Sequence, residues 1–270
     1  MQKYTYHTHN NFEDIFDGSS SCEDMIAKAV ELGFEEIGIS NHFIVHPNMS
    51  MVNKMFFNDS KLALDIYKRS YDEIDRVATK YPIKVLKGFE VDFFPSSTWR
   101  NMFEKMIKEL NPDYLIGSTH FVRNNEETEM YNIYYLEQYY KDKSPEKFNL
   151  FLTNYWNNII SAVESGYFNF IAHLDYCTLF NLSVSSEWND IKYKLIETLI
   201  KYNQPFEINT KGIERINRTY PENWIIEELV KANVPVLISD DAHSTDRIGD
   251  NFECVENFLN KINCKNRYKI

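Results

Sequence analysis

The chain has 270 residues, 43% of them apolar, and a formal net charge of −11. The apolar share supports a folded core, no run of about 18 apolar residues is present to span a membrane, and the acidic balance argues against nucleic acid as a partner, because phosphate backbones need clustered Lys and Arg. The N-terminus, MQKYTYHTHNNF, carries no apolar signal region and the four cysteines form no CxxC pair, so a cytoplasmic protein with reduced thiols and no zinc finger is expected.

Short apolar runs alternate with helical patterns along the whole chain. A first strand is expected over 3–7. A helix follows in SSCEDMIAKAVELGF, with Ser20 or Ser21 as N-cap, Met25, Ile26, Ala29 and Val30 as the apolar stripe, and Gly33 as the stop. Further strands are expected at 35–40, 83–91, 113–119, 168–172, 206–209 and 235–239. Their apolar character suits parallel strands buried on both faces. Helices are expected near 60–80, 97–110, 145–165, 187–202, 221–233 and 250–262, with Pro221 at a helix start. Seven βα units in one domain, 1–270, build either an open doubly wound sheet or a barrel, and the length is ordinary for a barrel. The least regular stretches, 43–59 and 121–144, each follow a strand-end histidine. They are expected to hang over the site as lids or specificity elements.

Six of the seven histidines fall at the ends of strand-like runs: His7 and His9 in YTYHTH, His42 in IGISNH, His120 in LIGSTH, His173 in FIAHLD and His243 in LISDDAH. Glu90 ends VLKGFE in the same way. In parallel α/β folds such positions converge on one site. Residues i and i+2 of a strand face one side, so His7 and His9 can reach one ion, and Asp241–His243 and His173–Asp175 repeat the spacing. A carboxylate such as Glu90 can bridge two cations about 3.5–4 Å apart. Mixed imidazole and carboxylate ligands suit Zn²⁺, Mn²⁺ or Fe²⁺ and disfavour Ca²⁺. The seventh histidine, His46 in IVHPNM, is expected on a surface loop.

With KGFEVDFFPS, PDYLIGSTHFV, IAHLDYCTLF, FEINTKGIER and LISDDAH, the ordered set resembles the polymerase-and-histidinol-phosphatase (PHP) superfamily. It is most similar to the histidinol-phosphatase branch, from Tyr6 to Gly249. The resemblance implies a distorted (β/α)7 TIM-like barrel, α/β in class, with a metal site at the C-terminal ends of the strands. It also implies three divalent ions. The first would take His7, His9, Glu90 and Asp241, the second Glu90, His120 and His173, and the third Asp17, His42 and His243. The loop NNFEDIFDGSS offers both Asp14 and Asp17. Asp17 is preferred because the Gly-Ser after it resembles the family's loop end. Thr5 and Asn41 stand where many members carry Asp, and Asp240 is an extra carboxylate beside Asp241.

The activity this implies is hydrolysis of a small phosphomonoester. The expected substrate is L-histidinol phosphate, giving L-histidinol and phosphate in histidine biosynthesis. Asp175 or His243 is expected to protonate the leaving group. Arg123, Lys211, Arg215 and Arg247 are the expected fixed cations for phosphate, and Asp92, Glu126 and Glu127 could receive a substrate ammonium. The chain is expected to act as a monomer or homodimer, without nucleic acid or membrane. The alternatives are a phosphoesterase for nucleotides or phosphotyrosine, or a non-catalytic metal-binding module.

Overall fold

Seven strands lie side by side in the order β1 (Tyr4–Thr5), β2 (Glu36–Ile39), β4 (Lys84–Asp92), β5 (Tyr114–Ser118), β8 (Phe170–Ile171), β9 (Phe206–Asn209) and β10 (Val236–Ser239). Every neighbouring pair is parallel. The structure is a computed structural model, and it describes residues 1–49, 56–136 and 144–270. Past the ends of β1 and β10 a parallel bridge joins Thr8 to Ala242, where the His9 amide donates to the Ala242 carbonyl at 2.8 Å. That bridge nearly closes the sheet into a barrel, and it sets the HxH and DxH segments side by side.

Strands β2, β5, β9 and β10 are buried at every position, as parallel strands covered on both faces must be. Helices α1 (Cys22–Glu31), α2 (Ser60–Ala78), α3 (Ser97–Leu110), α4 (Pro145–Ser165), α5 (Asn189–Tyr202), a short α6 (Lys211–Ile216), α7 (Asn223–Lys231) and α8 (Phe252–Lys261) complete the units. In α1 the Ser21 hydroxyl accepts from the Asp24 amide, and Cys22, Met25, Ile26 and Ala29 are buried. Pro221 does not open α7. That helix begins at Asn223 with Glu222 as its cap, because Tyr220 is held in a bridge to Asn209.

An inner cluster of Tyr6, Leu86, Tyr114, Ile116, Phe170, Ala172 and Leu237 comes from the strands and the residues at their ends, and it fills the barrel. Tyr114 explains the glycine two residues before Glu90: a Cβ at Gly88 would lie 2.3 Å from its ring, and one at Gly38 2.2 Å from its hydroxyl. A much larger cluster packs the helices against the sheet.

Two elements lie outside the expected pattern. After β2 the chain shifts at Ser40 and Asn41, whose carbonyls both lie 3.2 Å from the Glu90 amide. It then pairs again as β3 (His42–Phe43), which sets His42 opposite Glu90. Beyond β5, strands β6 (Phe121–Arg123) and β7 (Met130–Asn132) form an antiparallel hairpin in a stretch expected to be irregular. Of the two expected loops, 50–55 and 137–143 lie outside the described residues. No helix of the described residues is long and apolar enough to cross a membrane.

Candidate metal centre

The ends of six of the seven barrel strands, all but β9, contribute to one cluster. Glu90 lies at its middle, fully buried. Its Oε2 is 3.2 Å from His7 Nε2, 3.5 Å from His9 Nε2 and 2.9 Å from His42 Nδ1. Its Oε1 accepts from His173 Nε2 at 2.8 Å and lies 3.6 Å from His120 Nε2. Asp241 Oδ1 is 3.4 Å from His9 Nε2 and 3.7 Å from His7 Nε2. At the rim Asp17 Oδ2 meets His243 Nε2 at 3.0 Å and His42 Nε2 at 3.4 Å. Asp14 instead bonds Asn11 at the surface. All nine residues expected to hold metal thus come together.

They fall into four overlapping groups, each with ligand atoms within 4.8 Å of one another: His7, His9, Glu90; His7, His173, Asp241; His42, Glu90, His120; and His9, Asp17, His42, His243. The donors fit divalent ions on a specific ground. His7 Nε2, both ring nitrogens of His9, His42 Nδ1 and Glu90 Oε2 are buried without a hydrogen-bond partner. The close approaches of His7 and His42 to Glu90 are therefore out of line for hydrogen bonds. A run of orphaned buried donors is costly unless something else engages them.

The electrostatics agree. Burial alone would raise the Glu90 carboxyl, but His120, His7 and His42 hold it well below the usual carboxylate range. Asp241 behaves alike, with Lys211 and His7 outweighing burial. Burial, reinforced by His243 and His42, holds His9 well below its ordinary value. For His7 and His42 the surrounding carboxylates overcome burial and raise both. The cluster draws positive charge, in protons or in metal ions. Asp241 also sits at φ +47°, a left-handed conformation in which Asp is among the few tolerated residues.

Two buried carboxylates aim the imidazoles. Asp92, expected as an ammonium receptor, instead accepts from His120 Nδ1 at 2.7 Å and from the amides of His120 and Phe121. Glu207 went unassigned in the sequence. It meets His7 Nδ1 at 2.8 Å, accepts from the His173 amide at 2.9 Å, and is also bonded by Ser239 and Asn209. The available signal was a single acid within FEIN, a strand buried at all positions. Such carboxylate–imidazole partners fix ring orientation and typically support 10–100-fold in metal affinity or activity. Glu207→Gln is therefore expected to lower kcat/KM about tenfold or more, with metal titration of the folded variant as the check.

The extra acid, Asp240, is accounted for by Thr5. The Thr5 hydroxyl donates to Asp240 Oδ1 at 2.9 Å and the Gly249 amide to Oδ2 at 2.7 Å, so Asp240 joins none of the four groups. Asn41 pairs with Asn10 through both ends of its amide.

Among the expected cations, Lys211 and Arg215 face the cluster. Lys211 Nζ lies 3.0 Å from both Asp241 Oδ1 and His243 Nδ1. Arg215 donates to the hydroxyls of Tyr134 at 3.1 Å and Tyr176 at 3.4 Å, and those phenols meet at 2.9 Å. Together with Ile44, Phe56, Asn132 and several of the clustered residues they line a cavity of about 140 Å³, and a second of about 420 Å³ adjoins it. Arg247 stands at the rim of the second cavity, tied to Glu214 and Asp250. Arg123 is buried against Asn158 and the Asn124 carbonyl, away from both cavities.

Asp175 is a correction. The strand β8 ends at Ile171, so the i, i+2 rule no longer aligns Asp175 with His173. It begins a 3₁₀ turn and points to Arg218 Nη1 at 3.1 Å and the Glu222 amide at 3.0 Å. Burial pushes its carboxyl up to about 6, but it lines neither cavity. His46 is a second correction: it is buried, 1% exposed, and bonded to Glu127. Glu127 is buried with it, and Glu126 is exposed and lines neither cavity. A groove of about 770 Å³ along Gln2, Phe34 and Phe252 contains none of the metal-capable groups.

The sequence pattern of the PHP domain matches residues 5–211. A Thermotoga maritima protein named "Probable histidinol-phosphatase" is 25% identical over 95% of this chain and 91% of its own. The Bacillus subtilis histidinol-phosphatase is 21% identical over 94% of this chain and 98% of its own. Among solved structures, the histidinol phosphate phosphatase of Lactococcus lactis, complexed with zinc, L-histidinol and phosphate, superposes with a TM-score of 0.64 at 17% identity, covering 98% of this chain and 95% of that one.

Proposed function

This chain belongs to the PHP domain family, and from that premise we propose that it is a metal-dependent histidinol-phosphatase, hydrolysing L-histidinol phosphate to L-histidinol and phosphate in histidine biosynthesis. The observation that carries the reading is the buried Glu90 ringed by His7, His9, His42, His120 and His173, with Asp17, Asp241 and His243 completing the ligand sets. Full-length similarity to curated histidinol-phosphatases supports the substrate.

In this reading His7, His9, Glu90 and Asp241 hold one divalent ion, Glu90, His120 and His173 a second, and Asp17, His42 and His243 a third. Bound there, divalent ions supply Lewis-acid activation of water and neutralise charge developing on phosphate oxygens. The protein's own part is positioning and electrostatics. Arg215 is a fixed cation at the cavity wall. Burial would weaken it, but Tyr176, Tyr134 and Asp241 hold its guanidinium protonated. Arg215 and Lys211 orient the phosphate against the cluster. Of the two groups expected to protonate the leaving alkoxide, His243 lines the cavity and Asp175 does not.

The test is phosphate release from L-histidinol phosphate beside a panel of nucleotides, sugar phosphates and a phosphotyrosine peptide. A higher kcat/KM for L-histidinol phosphate than for every other panel member is expected. Preference for a nucleotide or for phosphotyrosine would replace the substrate assignment.

A further inference from the structure

His46 is the one histidine outside the metal centre, yet it is as buried as His7, His9, Glu90 and His173, and so is its partner Glu127. Its Nδ1 accepts from the Asn48 amide at 3.1 Å. The ring proton is therefore on Nε2, which donates to Glu127 Oε2 at 2.8 Å. The other oxygen of Glu127 accepts from the amide of Ser96 at 2.9 Å, and Ser96 is the N-cap of α3. The Asn48 side chain donates to the Glu127 carbonyl at 2.8 Å, and Phe94 packs against the imidazole with ring centroids 4.9 Å apart. Glu127 itself holds φ +54° in the β6–β7 turn, unusual for a non-glycine residue. Such a conformation persists where surrounding contacts determine it.

This node joins three segments that are otherwise separate in the chain. Residues 44–49 follow β3, residues 93–96 follow β4, and the hairpin follows His120. Two of them, the segment after β3 and the end of the hairpin, build one wall of the smaller cavity. Ile44 lies two residues before His46, and Asn132 and Tyr134 emerge from the hairpin, where the Ile133 amide also bonds the His120 carbonyl at 2.8 Å. Neither His46 nor Glu127 lines that cavity or appears in a metal-capable group.

We propose that His46 and Glu127 form a positioning latch that fixes the Ile44–Asn132–Tyr134 wall of the cavity, and so governs how substrate is held rather than how metal is bound. The proposal rests on the reading of this site as a phosphomonoesterase. A buried hydrogen bond to a charged group is worth enough that its loss should raise KM about tenfold, with kcat within about threefold of wild type. The experiment compares the metal-loaded wild type with His46→Ala, Glu127→Ala and His46→Gln, whose amide can still donate to Glu127. Steady-state kinetics, metal content and amide exchange over residues 43–49 and 121–132 are measured. Raised KM, intact metal content and faster exchange in both alanine variants, with recovery in His46→Gln, is the expected result. Unchanged KM and exchange would overturn the latch, and so would a fall in kcat that follows metal loss. If an alanine variant does not fold, His46→Phe, which fills the same space without an Nε2 donor, takes its place and is judged by the same readings. If the wild type releases no phosphate from L-histidinol phosphate, the proposed activity fails while the exchange comparison still decides the latch.

Discussion

Glu90→Gln should lower kcat/KM for L-histidinol phosphate by about a thousandfold or more, roughly 4 kcal/mol of transition-state stabilisation. The substitution keeps the side chain's size, so the packing around Gly88 and Tyr114 is undisturbed. What changes is charge. Glu90 is 0% exposed and within 3.6 Å of nitrogens from His7, His9, His42, His120 and His173. A neutral amide in that position would offer divalent ions an uncharged oxygen and an NH₂ in place of two anionic oxygens, and so would hold them less well. Elemental analysis should show fewer ions per chain. Wild-type kcat/KM at full metal content would remove Glu90 from the centre of the mechanism.

Exhaustive chelation should take phosphatase activity to background, and Zn²⁺, Mn²⁺ or Fe²⁺ should restore it. Stability should fall as well. An ion at a hundred times its Kd stabilises the native state by about 2.7 kcal/mol, and a chain of this size shifts by about 2 °C or more per kcal/mol. Removing even one such ion should therefore lower Tm by about 5 °C or more. The reason is local: Glu90 Oε2 and ring nitrogens of His7, His9 and His42 are buried, and without cations those atoms are left with no hydrogen-bond partner. Activity that survives chelation, with Tm unchanged, would exclude the metal mechanism.

At the site the corrections fall on side chains. Arg123, Glu127, Asp92 and Asp175 are each polar residues near a strand end, and in sequence they look like groups available to a ligand. In the fold each is consumed by a protein partner: Asn158, His46, His120 and Arg218 respectively. Nothing in spacing distinguishes a charge that faces the cavity from one that faces its neighbour, because that choice depends on which distant segment packs alongside. His46 and Glu127 are 81 residues apart, and Glu207 lies 200 residues from His7.

By itself the sequence determined the alternation of strands and helices, the parallel sheet, and the set of imidazoles and carboxylates delivered to its C-terminal edge. These follow from local physics, since burial on both faces demands apolar strands and a period of two aims alternate residues to one side. Tertiary structure alone decided the closure of the barrel through Thr8 and Ala242. It likewise decided the pairing of Thr5 with Asp240 and the turning of Asp175 away from the cavity. Each of these is a contact between segments far apart in the chain, selected by packing, and no local pattern encodes which partner a buried polar group will find.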